Sequence, residues 1–198
     1  MSSPAESPSA APDAAPNRSA GRASPVLRPG EDRDADDLIA LVGTCFAEYP
    51  GCVLDVDGEI PELRAIATWA AGGGGAFWCV EHDGRVVASV GAMPLAGGGD
   101  GPAIELVKLY VLPEARGTGL ARRLVGAVED HARATGAGRI ELWTDTRFTT
   151  AHRVYERLGY RRTARTRAIP DKSDTVEFHY IKALRAAENA VAGPGRAP

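Results

Sequence analysis

The sequence of 198 residues lacks several features that would place it in common protein classes. No stretch approaches 18 consecutive apolar residues, so we expect no membrane span. The three cysteines and four histidines show no ligand spacing, so we expect no metal, no disulfide framework and a cytoplasmic location. There is no basic excess, since the net charge is -3, and this argues against nucleic acid as a partner.

Glycine is abundant, with 23 residues, and alanine, serine and proline are concentrated at the start. Within residues 1–24, 17 of the 24 positions are one of these last three types, which predicts a disordered leader. The leader has no apolar segment of the kind found in secretory signals, whereas a transit peptide remains an alternative. Residues 185–198 are predicted to be a flexible tail, which leaves 25–184 as one domain.

Apolar periodicity across 25–184 predicts an α/β fold with a mixed central β-sheet of six to seven strands, flanked by about four helices. Asp83-Gly84 indicates a tight hairpin turn, and residues 97–101 a flexible connection. Asp32 or Asp34 is expected to cap the first helix.

Residues 105–121, ELVKLYVLPEARGTGLA, predict a strand that enters a glycine-containing loop and then a helix from about Gly117 to Thr135. The free N–H groups and the positive end of such a helix form a site for an anion. Gly117 and Gly119 would let a phosphate approach the main chain, and nearby arginines add positive charge. The loop lacks the Walker and dinucleotide patterns, and by itself it is also compatible with a turn that binds nothing.

The pattern R-x-x-G-x-A at Arg116, Gly119 and Ala121 resembles the acyl-CoA pyrophosphate motif of the GNAT superfamily of N-acetyltransferases. Residues 151–160, AHRVYERLGY, are similar to a helix motif of the same family, and the order of elements over 25–184 agrees with it. Phe148 departs from the family, because many members have asparagine there, and this puts the contact made by that asparagine in doubt.

The resemblance implies the acyl-CoA N-acyltransferase fold, with acetyl-CoA as cosubstrate. It implies that the main chain of Leu109 and Val111 binds the pantetheine arm. The residues implied to hold the pyrophosphate are those of the loop and the first helical turn: Arg116, Gly117, Thr118, Gly119, Leu120, Ala121 and Arg122. The implied reaction is direct attack by a primary amine, which we expect to belong to a small molecule, in a ternary complex. The alternatives are a peptide or protein N-terminal acetyltransferase and a catalytically silent acyl-CoA-binding module.

Two residues are implied to carry the chemistry. Tyr155 matches the general acid that protonates the leaving thiolate, although its place on an apolar helix face also suits a core tyrosine. Glu105 lies eleven residues before Arg116, at the position of the general base in one branch of the family. Alternation along the strand predicts that Glu105 shares a face with Leu109 and Val111. A solvent-exposed carboxylate or an ion pair with arginine is the other interpretation of Glu105.

The family implies an acceptor pocket walled by residues 48–62 and by Glu177. The acids Asp55, Asp57 and Glu59 would attract a cationic amine, or would simply form a solvated loop. We expect the protein to be a monomer or a homodimer.

Overall fold

The structure is a computed structural model that describes residues 24–95 and 101–184. The predicted leader up to residue 23, most of the predicted connection at 97–101 and the predicted tail at 185–198 lie outside the described residues. Within the described ranges, no helix combines the length and the apolar character needed to cross a membrane.

The described chain forms seven strands and four α-helices, which confirms the predicted mixed α/β architecture. The strands are β1 Val26–Pro29, β2 Ala76–His82, β3 Arg85–Leu95, β4 Ala103–Val111, β5 Arg139–Asp145, β6 Arg161–Ala168 and β7 Val176–Ala183. The helices are α1 Ala35–Phe46, α2 Ile66–Gly72, α3 Leu120–Ala134 and α4 Thr149–Arg157, with short 3₁₀ turns at Asp32–Asp34, Pro61–Ala65 and Pro113–Ala115.

The sheet opens between its two central strands. Its order is β1-β2-β3-β4-β5-β7-β6, and every neighbouring pair is antiparallel except β4 and β5. The parallel pairing of β4 with β5 covers only Ala103 to Glu105 opposite Arg139 to Glu141. Beyond these residues the two strands diverge, so the facing main-chain groups of β4 and β5 have no ladder partner in the described structure.

A β-bulge interrupts β4 beside this opening, beyond the last residue that pairs with β5. The step from Ser89 to Gly91 on β3 faces the longer step from Val107 to Tyr110 on β4, so β4 carries one extra residue. Lys108 lies in this bulge with a φ of +52°, a conformation that is uncommon for a residue with a side chain. Because the extra residue reverses the alternation, the prediction that Glu105 shares a face with Leu109 and Val111 is wrong.

Helices cover both faces of the centre of the sheet. Strand β3 is buried without interruption from Val86 to Ala92, whereas a strand with one solvated face would alternate. Helices α1 and α2 pack on β3, and α3 packs on β2 to β5. Fully buried leucines such as Leu38 and Leu124 lie in this core, each contributing about 1.5–3 kcal/mol of hydrophobic free energy.

Asp34, one of the two predicted caps, is the N-cap residue of α1, but neither its side chain nor that of Asp32 makes a capping hydrogen bond to this helix. The Asp32 carboxylate instead accepts hydrogen bonds from the N–H groups of Ala67 and Thr68, at 2.8 and 3.0 Å, and so caps α2. The nearly buried Asp34 carboxylate accepts both Nη groups of Arg28 at 2.8 Å. A carboxylate near a helix start can therefore serve a different helix once the chain folds. The hairpin at Asp83-Gly84 is confirmed.

Candidate active site

The loop between β4 and α3 presents main-chain amides at the start of a helix. Helix α3 begins at Leu120, three residues later than predicted, because Gly117 and Gly119 adopt left-handed φ values of +77° and +86°. A Cβ added to either glycine would meet none of the described atoms within 4 Å. Free N–H groups, the positive end of α3 and the open space together form a cradle for an anion.

Arg116 anchors this loop to the end of α1. Its Nη1 and Nη2 donate to the two carboxylate oxygens of Glu48 at 2.7 and 2.6 Å, and its Nε donates to the Val111 carbonyl at 3.0 Å. The hydrogen bonds from Arg116 lower the pKa of Glu48, and the same contact raises the pKa of Arg116. The Arg116 guanidinium, which was predicted to add positive charge near the phosphate, is thus engaged with a carboxylate in this structure.

A cavity of about 490 Å³ lies in front of the loop, and we call it the glycine-loop cavity. The predicted cofactor-binding residues that line it are Leu109, Val111, Arg116, Gly117, Gly119, Leu120, Ala121 and Arg122. Thr118 is not among the lining residues, because its hydroxyl donates to the Ala115 carbonyl at 2.7 Å and closes the loop. The opposite wall is α4 and the residues just before it, including Phe148, Ala151 and Val154.

A second cavity, of about 510 Å³, lies in the opening between β4 and β5, and we call it the acidic cavity. It is named for the carboxylates that line it: Asp55, Glu59, Asp145, Asp171 and Glu177. Leu109, Tyr110, Phe148 and Ala151 line both cavities, so the two meet along this shared wall. Segments 52–60 and Glu177, predicted from the resemblance as acceptor walls, line the acidic cavity.

An aromatic cluster forms the junction. The Phe148 ring lies 4.7 Å from that of Tyr49 and 5.9 Å from that of Phe46, and Phe46 packs edge-on against Tyr110. Many family members have asparagine at position 148. Phe148 makes apolar contacts there with Tyr49 and Phe46. This makes the boundary between the two cavities an apolar one.

Tyr155 lies in the core and also at the wall of the acidic cavity. Its ring packs in the core against Tyr160 and Tyr180, with only 4% of the residue exposed, and it also lines the acidic cavity. Its hydroxyl has no hydrogen-bond partner among the described residues. Burial raises the pKa of Tyr155 well above its ordinary value, so the phenol keeps its proton at neutral pH.

Glu105 is half-buried and lies directly opposite Glu141 on β5, at the closed end of the opening. It lines neither cavity. Burial raises the pKa of Glu105, Arg167 opposes this shift, and the charges of Glu177 and Glu141 add to it. Of the two predicted catalytic residues, Tyr155 thus lines the acidic cavity, whereas Glu105 does not.

The acidic cavity is closed on one side by two loops that are far apart in sequence. The Lys172 main-chain N–H donates to Glu59 at 2.6 Å, and its ammonium pairs with Asp55. The Val53 N–H donates to the buried Ser173 hydroxyl at 2.9 Å. Two of the three acids predicted either to attract an amine or to form a solvated loop are therefore occupied in holding the two loops together.

Several lining residues were not predicted. Ala151 and Val154 share the apolar face of α4 with Tyr155, so helical periodicity was a usable signal for them. Lys108, Asp145 and Arg167 carried no local signal, because their positions depend on the bulge and on the packing of distant strands. No group of three or more potential metal ligands occurs within residues 24–95 and 101–184.

Comparison with known proteins agrees with this geometry. The model of the acetyltransferase (GNAT) family matches residues 41–160. The N-acetyltransferase YjgM of Escherichia coli K12, itself uncharacterized, is 34% identical over 142 residues, which cover 69% of this chain and 82% of YjgM. The chain belongs to the GNAT acetyltransferase family. Acetyl-CoA is accordingly its cosubstrate.

Two further proteins are similar to this chain. The mycothiol acetyltransferase of Thermobispora bispora is 35% identical over 140 residues, 68% of this chain, but the match spans less than half (44%) of that protein's own length. Among solved structures, yncA from Salmonella typhimurium contains its cofactor acetyl-CoA. It superposes with a TM-score of 0.62 at 17% identity, over 85% of this chain and 99% of that one, and so shares the fold.

Proposed function

We propose that this GNAT protein transfers the acetyl group of acetyl-CoA to the primary amine of a small molecule, by direct attack in a ternary complex. The observation that carries the proposal is that the two cavities are neighbours. The glycine-loop cavity, which contains the anion cradle at the start of α3, and the acidic cavity, which Tyr155 lines, share the wall formed by Leu109 and Tyr110. A donor in the first cavity and an acceptor in the second would meet at this wall.

The residues present suit acetyl-CoA. The amides of residues 116–121 would hold the pyrophosphate, with no side chain at Gly117 or Gly119 to obstruct it. The main chain at Leu109 and Val111 lies beyond the last pair of β4 with β5, so it would bind the pantetheine arm as an added strand would, although the Val111 carbonyl already accepts a hydrogen bond from Arg116. Arg122 would supply positive charge at the mouth of the cradle.

The chemistry requires two proton transfers. The neutral amine attacks the thioester carbonyl, the new C–N bond forms and the C–S bond breaks. Tyr155 would donate its proton to the leaving sulfur, since its raised pKa keeps it protonated until a thiolate develops. Glu105 would take the proton of the amine through water, because it does not itself line the acidic cavity and burial raises its pKa.

A small acceptor is favoured over a peptide by the closure of the acidic cavity. Its volume of about 510 Å³ falls within the usual range for small-molecule sites of roughly 300–1,000 Å³. Lys172 and Ser173 tie the two covering loops together, which obstructs an extended chain on that side.

Free thiols at Cys45, Cys52 and Cys79 suit the reducing cytoplasm, which we propose as the location.

The decisive experiment measures release of free CoA in steady state with a panel of primary amines and a peptide array. Release with amines supports the proposal, and release with peptides alone would establish the peptide alternative. Thermal stabilisation by acetyl-CoA without release from any acceptor would indicate a catalytically silent module. If neither stabilisation nor release occurs, the proposed function is wrong.

A further inference from the structure

The guanidinium groups of two arginines lie over the indole ring of Trp143, on the open face of the sheet beside the acidic cavity. The guanidinium carbon of Arg167 lies 4.4 Å from the indole centroid, and that of Arg165 lies 5.1 Å from it. Both arginines come from β6 and reach across His179 of β7, whose ring is 4.7 Å from the indole. Trp143 and Arg167 line the acidic cavity.

Arg167 is held in one orientation. Its Nε donates to a Glu177 oxygen at 2.6 Å, and the indole supports its flat face. The two Nη groups have no hydrogen-bond partner among the described residues. A guanidinium fixed at its Nε and its face presents those two parallel donors as a fork, the geometry that matches a carboxylate.

The arginines around Trp143 have carboxylate neighbours, yet Arg165 and Arg167 retain side-chain donors that none of the described residues accepts. The nearest carboxylate to Arg165 is Glu141, at 3.7 Å, and Glu141 already accepts hydrogen bonds from Arg139 and His179 at 2.8 Å. The other charged residues of the cavity have close partners: Lys108 pairs with Glu62, and Asp145 pairs with Arg147, both at 2.6 Å. The open donors of this wall are therefore those of the two arginines.

We infer that the acceptor carries a carboxylate as well as an amine, and that Arg167, supported by Arg165 and Trp143, binds this carboxylate while the amine faces the junction of the two cavities. The inference rests on the proposed function and narrows its substrate class to amino acids in the broad sense. Glu177 acts as a positioning residue for the Arg167 fork, and the Trp143 indole fixes its plane.

The test compares acceptors that differ only in the carboxylate. Glycine, β-alanine, 4-aminobutyrate and 6-aminohexanoate vary the distance between the two groups, and methylamine, ethylamine, propylamine and pentylamine are their counterparts without the carboxylate. At saturating acetyl-CoA, we expect the best amino acid to exceed its matched amine in kcat/KM by about tenfold or more. Arg167→Ala should lower kcat/KM for that amino acid, through KM, about tenfold to a hundredfold more than for the matched amine, because any change in the pKa of Glu105 acts on both acceptors alike.

Arg162 provides the control. It lies on the same strand but stacks on Phe178, 3.2 Å from the ring centroid and on the opposite face of the sheet from Trp143. Arg162→Ala should leave both acceptor series unaffected. Equal kcat/KM for amino acids and matched amines, or an Arg167→Ala variant that affects both alike, would overturn the inference.

A binding measurement separates this inference from the proposed function. Butyrate, added to the complex with CoA, should show saturable binding by ligand-observed NMR, and Arg167→Ala should abolish it. Butyrate binding without turnover of any acceptor would sink the proposed function and retain the anion site. Turnover of plain amines without butyrate binding would retain the proposed function and overturn the inferred carboxylate site.

Discussion

The two cavities are of similar volume but are built in different ways. The glycine-loop cavity takes its anion cradle from six consecutive residues, 116–121, and offers main-chain amides. The acidic cavity takes its walls from the loop after α1, four strands, α4 and the 169–175 loop, and offers charged side chains that mostly have close partners. In the proposed function, the cofactor shared by the family is thus held by local backbone geometry, whereas the acceptor is held by side chains assembled over long range.

The strongest test of this difference places a side chain in the cradle. Gly119→Glu should abolish acetyl-CoA binding, because the variant strains a φ of +86° and puts a negative charge where the pyrophosphate would lie. Wild-type protein should gain about 2.7 kcal/mol of stability at roughly 100 times the Kd, measured by thermal shift, and the variant none. Gly126→Glu, within α3, is the matched control and should keep the shift. A preserved shift in Gly119→Glu would show that the cofactor lies elsewhere.

The next test removes one hydroxyl from the acidic cavity. Tyr155→Phe keeps the ring packing and should lower kcat by about a hundredfold or more, with little change in acetyl-CoA affinity. Tyr160→Phe is the control, because the Tyr160 hydroxyl is buried without a partner among the described residues. Its loss should leave kcat intact and raise stability by about 1 kcal/mol in chemical denaturation. Equal kcat in the two variants would leave Tyr155 as a core residue only.

Glu105 is tested by the pH dependence of kcat/KM. Because burial raises the pKa of Glu105, the rate should rise as pH increases through a value above the ordinary carboxyl range, where the base becomes deprotonated. Glu105→Gln should lose this acidic limb and about tenfold of the rate at neutral pH.

Glu141→Gln serves as the comparison for Glu105. It removes one of the negative charges that raise the pKa of Glu105, so it should move the acidic limb to lower pH without removing it. An unchanged profile in Glu105→Gln would assign the proton to another route.

The smallest expected effect concerns the ion pair between Glu48 and Arg116. Glu48→Gln weakens the fork on Arg116, and we expect the Kd for acetyl-CoA to rise a few-fold, since a partly exposed ion pair contributes up to about 1 kcal/mol. Calorimetric titration measures this change. A tighter Kd would instead mean that the Arg116 side chain, once released from residue 48, binds the pyrophosphate.

Local sequence pattern predicted the residues around the glycine-loop cavity well and those around the acidic cavity poorly, for a physical reason. Alternating apolar residues and glycine turns act over a few positions, so the strands, α3 and the loop at 116–121 were readable. The Lys108 bulge reversed an alternation argument, and Asp32 capped a helix that begins more than thirty residues later. The contact of Lys172 with Glu59 spans 113 residues, a separation at which sequence pattern carries no signal.

The divergence of β4 from β5 has a consequence for the protein's exchange with solvent. A sheet of seven strands ordinarily exposes ladder groups at its two outer strands, but this one also has two inner edges beyond Glu105 and Glu141. These inner edges lie within a crevice, where another protein's strand has no room to pair, so they avoid the aggregation hazard of an outer edge. Amide protons of residues 109–111 that point into the crevice should therefore exchange rapidly with deuterium in the free protein and become protected when a ligand occupies it.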